Sequence, residues 1–176
     1  MSVYNSVQSN AHKADLFRYC YLFIHGGIWI DIKTVLIRPL SEIFTSRYDI
    51  YTVKSIMNNR GGTCYQGILA VPPRTTFMQD MILSFMSLAQ FVDKLGYLTF
   101  CRQMYAYFEE QYHHVRIGEN RGQNIPTLQL FEEYNKEICD TNLDQYKLCT
   151  YVRNEQGEDV FKLRDHEFPN GQWKAD

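Results

Sequence analysis

Gly26-Gly27 divides two periodicities that no single element can carry, and this break limits what the chain can fold into. Before it, "NAHKADLFRYCYLFIH", residues 10–25, places apolar side chains at Phe17, Cys20, Tyr21 and Ile24 with Leu16 beside them. That is a helical spacing closed by a glycine. After it, Ile28, Ile30 and Ile32 alternate with Trp29, Asp31 and Lys33, so a strand here sets the isoleucines on one face and the other three side chains together on the opposite one. The chain turns from a helix straight into a strand whose polar face makes Asp31 and Lys33 neighbours.

The remaining pattern is mixed. "LSEIF" after Pro39 reads as a short helical turn, "YDIYTV" (48–53) and "YQGILAV" (65–71) as strands, and "SIMNNRGG" as the loop between them. Helical spacing runs from Thr75 to about Lys94 and from Tyr97 to His113, and a further helix is expected over Leu128 to Cys139. "RIGENRGQNIPTLQ" reads as a loop, and the runs flanking Asn154 to Gly157 as a hairpin. Strands interleaved with helices define an α/β or α+β chain, and with no linker or repeat residues 1–176 are expected to form a single domain.

A net charge of -2 argues against a nucleic-acid partner, because such domains carry a basic excess or stripe. Five cysteines, odd in number and without ligand spacing, fit buried thiols in a reducing, cytoplasmic setting better than a disulfide framework. No apolar run reaches the ~20 residues that span a bilayer. The adjacent His113 and His114 diverge on a helix and make poor joint metal ligands.

Residues 11–33, "AHKADLFRYCYLFIHGGIWIDIK", resemble the DXD-containing sugar-binding region of glycosyltransferase family 32, which includes α-mannosyltransferases and capsular-polysaccharide transferases. The family pattern is Ala-Asp, an Arg three residues on, an apolar helix, Gly-Gly, a Tyr or Trp, then Asp-x-Asp. Ala14, Asp15, Arg18, Leu22, Gly26, Gly27, Trp29 and Asp31 occur in that register; Lys33 stands where the family has its second Asp.

The resemblance implies a GT-A fold, a Rossmann-like α/β arrangement, here apparently lacking part of its N-terminal strands, which a partner segment could complete. It implies transfer of a hexose from a UDP- or GDP-sugar to a hydroxyl of a glycan or glycoconjugate, retaining by family analogy. Ala14, Asp15, Arg18, Gly26, Gly27 and Trp29 would then flank the donor, with Asp31 and Lys33 at the reacting end. Tyr65 and Gln66 would lie on the acceptor side. The tail "HEFPNGQWK" loosely matches a donor-covering loop: Trp173 and Lys174 would touch the donor, and His166 and Asn170 would join Asp31 around a divalent manganese or magnesium ion.

Lys33 leaves three readings open. It abolishes the metal site and the activity; or its ammonium replaces part of the metal's charge at the diphosphate; or it points away as a solvated strand end. The competing function is a non-catalytic, truncated relative that binds sugar or a protein partner.

Overall fold

The computed structural model describes residues 3–56, 62–136 and 149–163. A short helix α1 (Val3–Ser6) precedes α2 (Asn10–His25), then β1 (Gly27–Ile30), β2 (Thr34–Leu36) and the helical turn α3 (Leu40–Ile43). Next come β3 (Ile50–Lys54), β4 (Cys64–Val71), α4 (Thr76–Leu88), a 3-10 turn at Val92–Lys94 and α5 (Thr99–Tyr112). Strands β5 (Gly118–Asn120), β6 (Leu128–Lys136), β7 (Cys149–Arg153) and β8 (Asp159–Leu163) complete the described chain. The result is mixed α/β and compatible with a GT-A-like arrangement, although β3 and β6 form the one parallel pair among the described strands.

Helix α2 begins where Ser9 caps it by accepting from the His12 amide, and Asp93 Oδ1 accepts from the amides of Gln8 and Ser9, both at 2.8 Å. It stops at Gly26, whose amide donates to the Leu22 carbonyl at 2.8 Å. Gly26 adopts φ 65° and ψ -160°, a region essentially reserved for glycine, and a Cβ there would lie 2.6 Å from the Pro73 ring. The buried face of the helix is Leu16, Tyr19 and Leu22 together with His12 and Arg18, not the expected stripe; Phe17, Tyr21 and Ile24 are exposed. Polar side chains on the inward face mislead an apolar count.

The sheet order is β1-β4-β3-β6-β7-β8-β2, with β5 also paired to β6. Strands β1 and β2 are therefore opposite edges, yet only residues 31–33 connect them. Four residue steps span at most about 14 Å. A flat seven-strand sheet would hold its edges about 29 Å apart, given a spacing of about 4.8 Å. The sheet must curl until its edges approach each other.

One face packs on α2, α4 and α5 through Tyr19, Phe77, Phe85, Phe100 and Phe108, with Leu69, Val71, Leu128 and Leu130 rising from the strands. The other face, inside the curl, holds Tyr51, Val53, Ile68, Phe131, Val152 and Phe161. Between the pairs Tyr51↔Ala70 and Val53↔Tyr65, β4 has four residues where β3 has only Thr52, a bulge that includes Gly67.

Two expected elements differ. Residues 128–136 form a strand, because β6 is paired on both sides and its first four residues are buried on both faces, so no alternation shows in that stretch. Residues 31–33 form a turn beyond the end of β1, and Ile32 is 98% exposed instead of sharing a face with Ile28 and Ile30. The 154–157 hairpin is present between β7 and β8.

Replacing Gly26 by alanine is expected to destabilise the protein by about 3 kcal/mol, near the upper end of the strain range because the new Cβ meets Pro73. A urea-unfolding midpoint equal to that of the wild type would refute this account of the α2–β1 turn.

Candidate functional site

A cavity of about 840 Å³ opens at the mouth of the curl, between the N-terminal half of α2, the 31–33 turn and the polar ends of the central strands. Ala14, Asp15, Arg18, Trp29, Asp31 and Lys33 all line it. Sequence periodicity placed Asp31 and Lys33 together on a strand; the structure brings them to the same cavity on a turn.

Arg18 organises the wall. Its guanidinium, 5% exposed, meets Asp15 Oδ1 at 3.1 Å, Asp31 Oδ1 at 3.5 Å and Gln66 Oε1 at 3.0 Å, and lies over the Trp29 ring at 5.1 Å. The Trp29 indole N–H donates to Asp31 Oδ1 at 2.8 Å. The Asp31 amide donates to the Gly67 carbonyl at 2.8 Å, and Asp31 Oδ2 lies 2.7 Å from where a Gly67 Cβ would stand, with the Tyr65 phenol at the same spot. The glycine at the β4 bulge is what lets the Asp31 carboxylate and the Tyr65 hydroxyl converge.

Burial raises the Asp15 carboxyl to about 6, with Arg18 opposing and the neighbouring Asp31 charge adding to the rise. Burial first, then the Asp31 charge, pushes the Tyr65 phenol up, with Glu133 contributing. Burial, followed by Asp15, pushes the Cys101 thiol up to about 12.

Gln66 lines the cavity, but its amide is engaged: Oε1 accepts from Arg18 and from the Tyr19 hydroxyl at 2.7 Å, and Nε2 faces Cys101 Sγ at 3.6 Å. Gly26 and Gly27 shape the turn and do not line the cavity. His166, Asn170, Trp173 and Lys174 lie outside the described residues. Cys20, Cys64 and Cys101 are free thiols.

The far wall was not anticipated. Ser55, Glu133, Asn135 and Thr150 line it. The signal for it was hidden by reading residues 128–139 as a helix; as a strand, Glu133 and Asn135 continue the face of Phe131.

Among the described residues no group of three or more His, Cys, Asp or Glu side chains converges, and of the Asp31 oxygens Oδ1 is held by an indole N–H and a guanidinium. No helix among the described residues is long and apolar enough to cross a membrane.

A mixed α/β frame that closes two carboxylates, a buried arginine and a tryptophan around one cavity has the character of a polar small-ligand site. The family described as the glycosyltransferase sugar-binding region containing a DXD motif matches residues 1–58, which carry all of those residues. No curated protein and no solved structure matches the chain. At the coarse level the N-terminal region is therefore similar to a glycosyltransferase sugar-binding region.

Asp15 should leave a signature in stability. Its folded value of about 6 lies above the unfolded 3.8, so the folded state holds this proton more tightly. Its contribution is present at low pH and is lost as pH rises through about 4 to 6. Melting temperatures measured from pH 4 to 6.5 should show the wild type losing stability relative to Asp15→Asn across that window. Parallel curves would contradict the raised value.

Proposed function

We propose that the cavity binds a nucleoside diphosphate hexose, UDP- or GDP-linked, and that the protein transfers the hexose to a hydroxyl of a glycan or glycoconjugate, retaining by family analogy. The observation that carries this reading is that the positions matching the sugar-binding pattern, Asp15, Arg18, Trp29 and Asp31, converge on the wall of one cavity.

In this reading Asp15 and Asp31 accept hydrogen bonds from sugar or ribose hydroxyls, and the apolar Trp29 ring lies along the sugar. Ala14 leaves the entrance wide, and Arg18 holds the two carboxylates in place. In the reaction, the bond from the anomeric carbon to the diphosphate oxygen breaks and the acceptor oxygen bonds that carbon. The diphosphate leaves with the electron pair and the hydroxyl's proton. Positive charge near the departing oxygens lowers the barrier. Lys33, at the cavity edge, is the residue we assign to that charge, in place of the family's second aspartate and its metal.

Calorimetric titration with UDP- and GDP-hexoses, with and without manganese, should give saturable binding to the wild type in at least one series. Absence of binding in every series would sink the reading. Lys33→Asp should weaken metal-free binding by about tenfold or more, about 1.4 kcal/mol, and should make the remaining binding respond to manganese. Metal-free binding unchanged in the variant would remove Lys33 from the diphosphate.

A further inference from the structure

We infer that Glu133 is the acceptor-binding residue of the cavity, taking a sugar hydroxyl on the wall opposite Trp29 and Asp31. This rests on the donor reading above and adds the second substrate's place to it.

The strands themselves build this wall. Inside the curl, successive same-face positions run from Val53 on β3 to Ser55 just past its end, Phe131 to Glu133 to Asn135 on β6, and Val152 to Thr150 on β7. On β3 and β6 the change from apolar to hydrogen-bonding side chains falls at Ser55 and Glu133, and on β7 one same-face pair later, at Thr150; together these positions line the cavity. The registers agree: Val53 faces Phe131, Glu133 faces Val152, and Asn135 faces Thr150, whose hydroxyl donates to Asn135 Oδ1 at 3.0 Å. Leu163, opposite Thr150 on β8, closes the wall with an apolar side chain.

Glu133 is unusual within that layer. It is 6% exposed, and its recorded donors are neutral: the Ser55 hydroxyl at 2.5 Å and the Ile56 amide at 3.1 Å, both to Oε2. No cation pairs with it among the described residues, and burial pushes its carboxyl up against those two hydrogen bonds. A carboxylate withdrawn from water costs several kcal/mol if left without partners. Here the two donors fix one oxygen, while Oε1 remains an acceptor on a side chain that borders the cavity.

A hydroxyl-bearing ligand suits this geometry. It donates to Oε1 without introducing a charge, and Asn135 and Thr150 supply further donors and acceptors beside it. Tyr65 stands between the two walls: its phenol adjoins Asp31 over Gly67 and also feels the Glu133 charge. A hydroxyl held by Glu133 would face a hexose held by Asp31 across that ring. The cavity, at about 840 Å³, lies toward the large end of ligand sites, which run from about 300 to 1,000 Å³.

The test uses Glu133→Gln, which keeps an oxygen for Ser55 and Ile56, and Thr150→Val, which alters the same layer without touching Glu133. Donor affinity is measured by calorimetry with UDP- and GDP-hexoses. Acceptor binding is measured by ligand-observed NMR with methyl glucoside, methyl mannoside and methyl galactoside, each with the nucleoside diphosphate present. Where a methyl glycoside is turned over, KM and kcat are measured as well.

The expected result is donor affinity within twofold of wild type for both variants. Glycoside affinity should fall at least tenfold in Glu133→Gln and two- to fivefold in Thr150→Val, with the loss in KM exceeding that in kcat. Unchanged glycoside affinity in Glu133→Gln overturns the inference. So does an equal loss of donor and glycoside binding, which marks a structural role, and so does a wild-type protein that binds donor but none of the glycosides. A wild type that binds no donor fails the functional proposal itself, a separate outcome.

Discussion

Three residues joining the two outer strands of one sheet form the constraint on which the rest of the molecule depends. Because residues 31–33 must reach from β1 to β2, the sheet cannot lie flat, and its curl creates a second, enclosed core around Tyr51, Phe131 and Phe161. The mouth of that curl is where the link itself runs, so the residues that close the sheet also line its opening. Asp31 is fixed there by its amide to the Gly67 carbonyl and by its own carbonyl, which accepts from the Thr34 amide at 2.9 Å. The four-for-one bulge in β4 is the local deformation that brings Gly67 to it.

Charge on the helix-side wall is balanced by one side chain that a lysine could not replace. A planar guanidinium can meet Asp15, Asp31 and Gln66 in different directions while presenting a face to Trp29, whereas an ammonium is a single point with no face. The compensation is incomplete, since burial still keeps Asp15 far above its usual range. The opposite wall is built on another principle, a carboxylate held by neutral donors. Among the described residues, one cavity thus joins a partly compensated ion cluster to a carboxylate that has no cationic partner.

Much of the frame could be read from the chain because its punctuation is strong. The α2 boundaries, the Gly26 cap, the 154–157 hairpin and the strands on either side of residues 57–61 follow from turn residues and periodicity. Failures occurred where burial and polarity part company. Arg18 and His12 are buried on α2 while Phe17 and Tyr21 are exposed, so the apolar stripe indicated the wrong face. In β6, Gln129 and Glu133 are buried with Leu128, Leu130 and Phe131, so the strand shows no alternation and its pattern resembles that of a helix. Two of these buried polar residues, Arg18 and Glu133, line the cavity, and a frame-level resemblance over residues 11–33 gave no sign of the β6 wall.

The lysine at position 33 has a consequence that joins charge to fold. Among the described residues lining the cavity, Arg18 and Lys33 are the cations, and Arg18 is neutralised where it stands by Asp15 and Asp31. In the donor reading proposed above, an anionic diphosphate entering there would meet both cations, with the Arg18 charge offset while Asp15 is ionised. Below about pH 6 Asp15 takes up a proton and offsets less of the Arg18 charge, while Asp31 still faces it. A metal ion would be independent of that equilibrium, since its charge does not depend on a neighbour's protonation. A cation carried on the link that closes the sheet ties the charge of the cavity to the geometry of the curl.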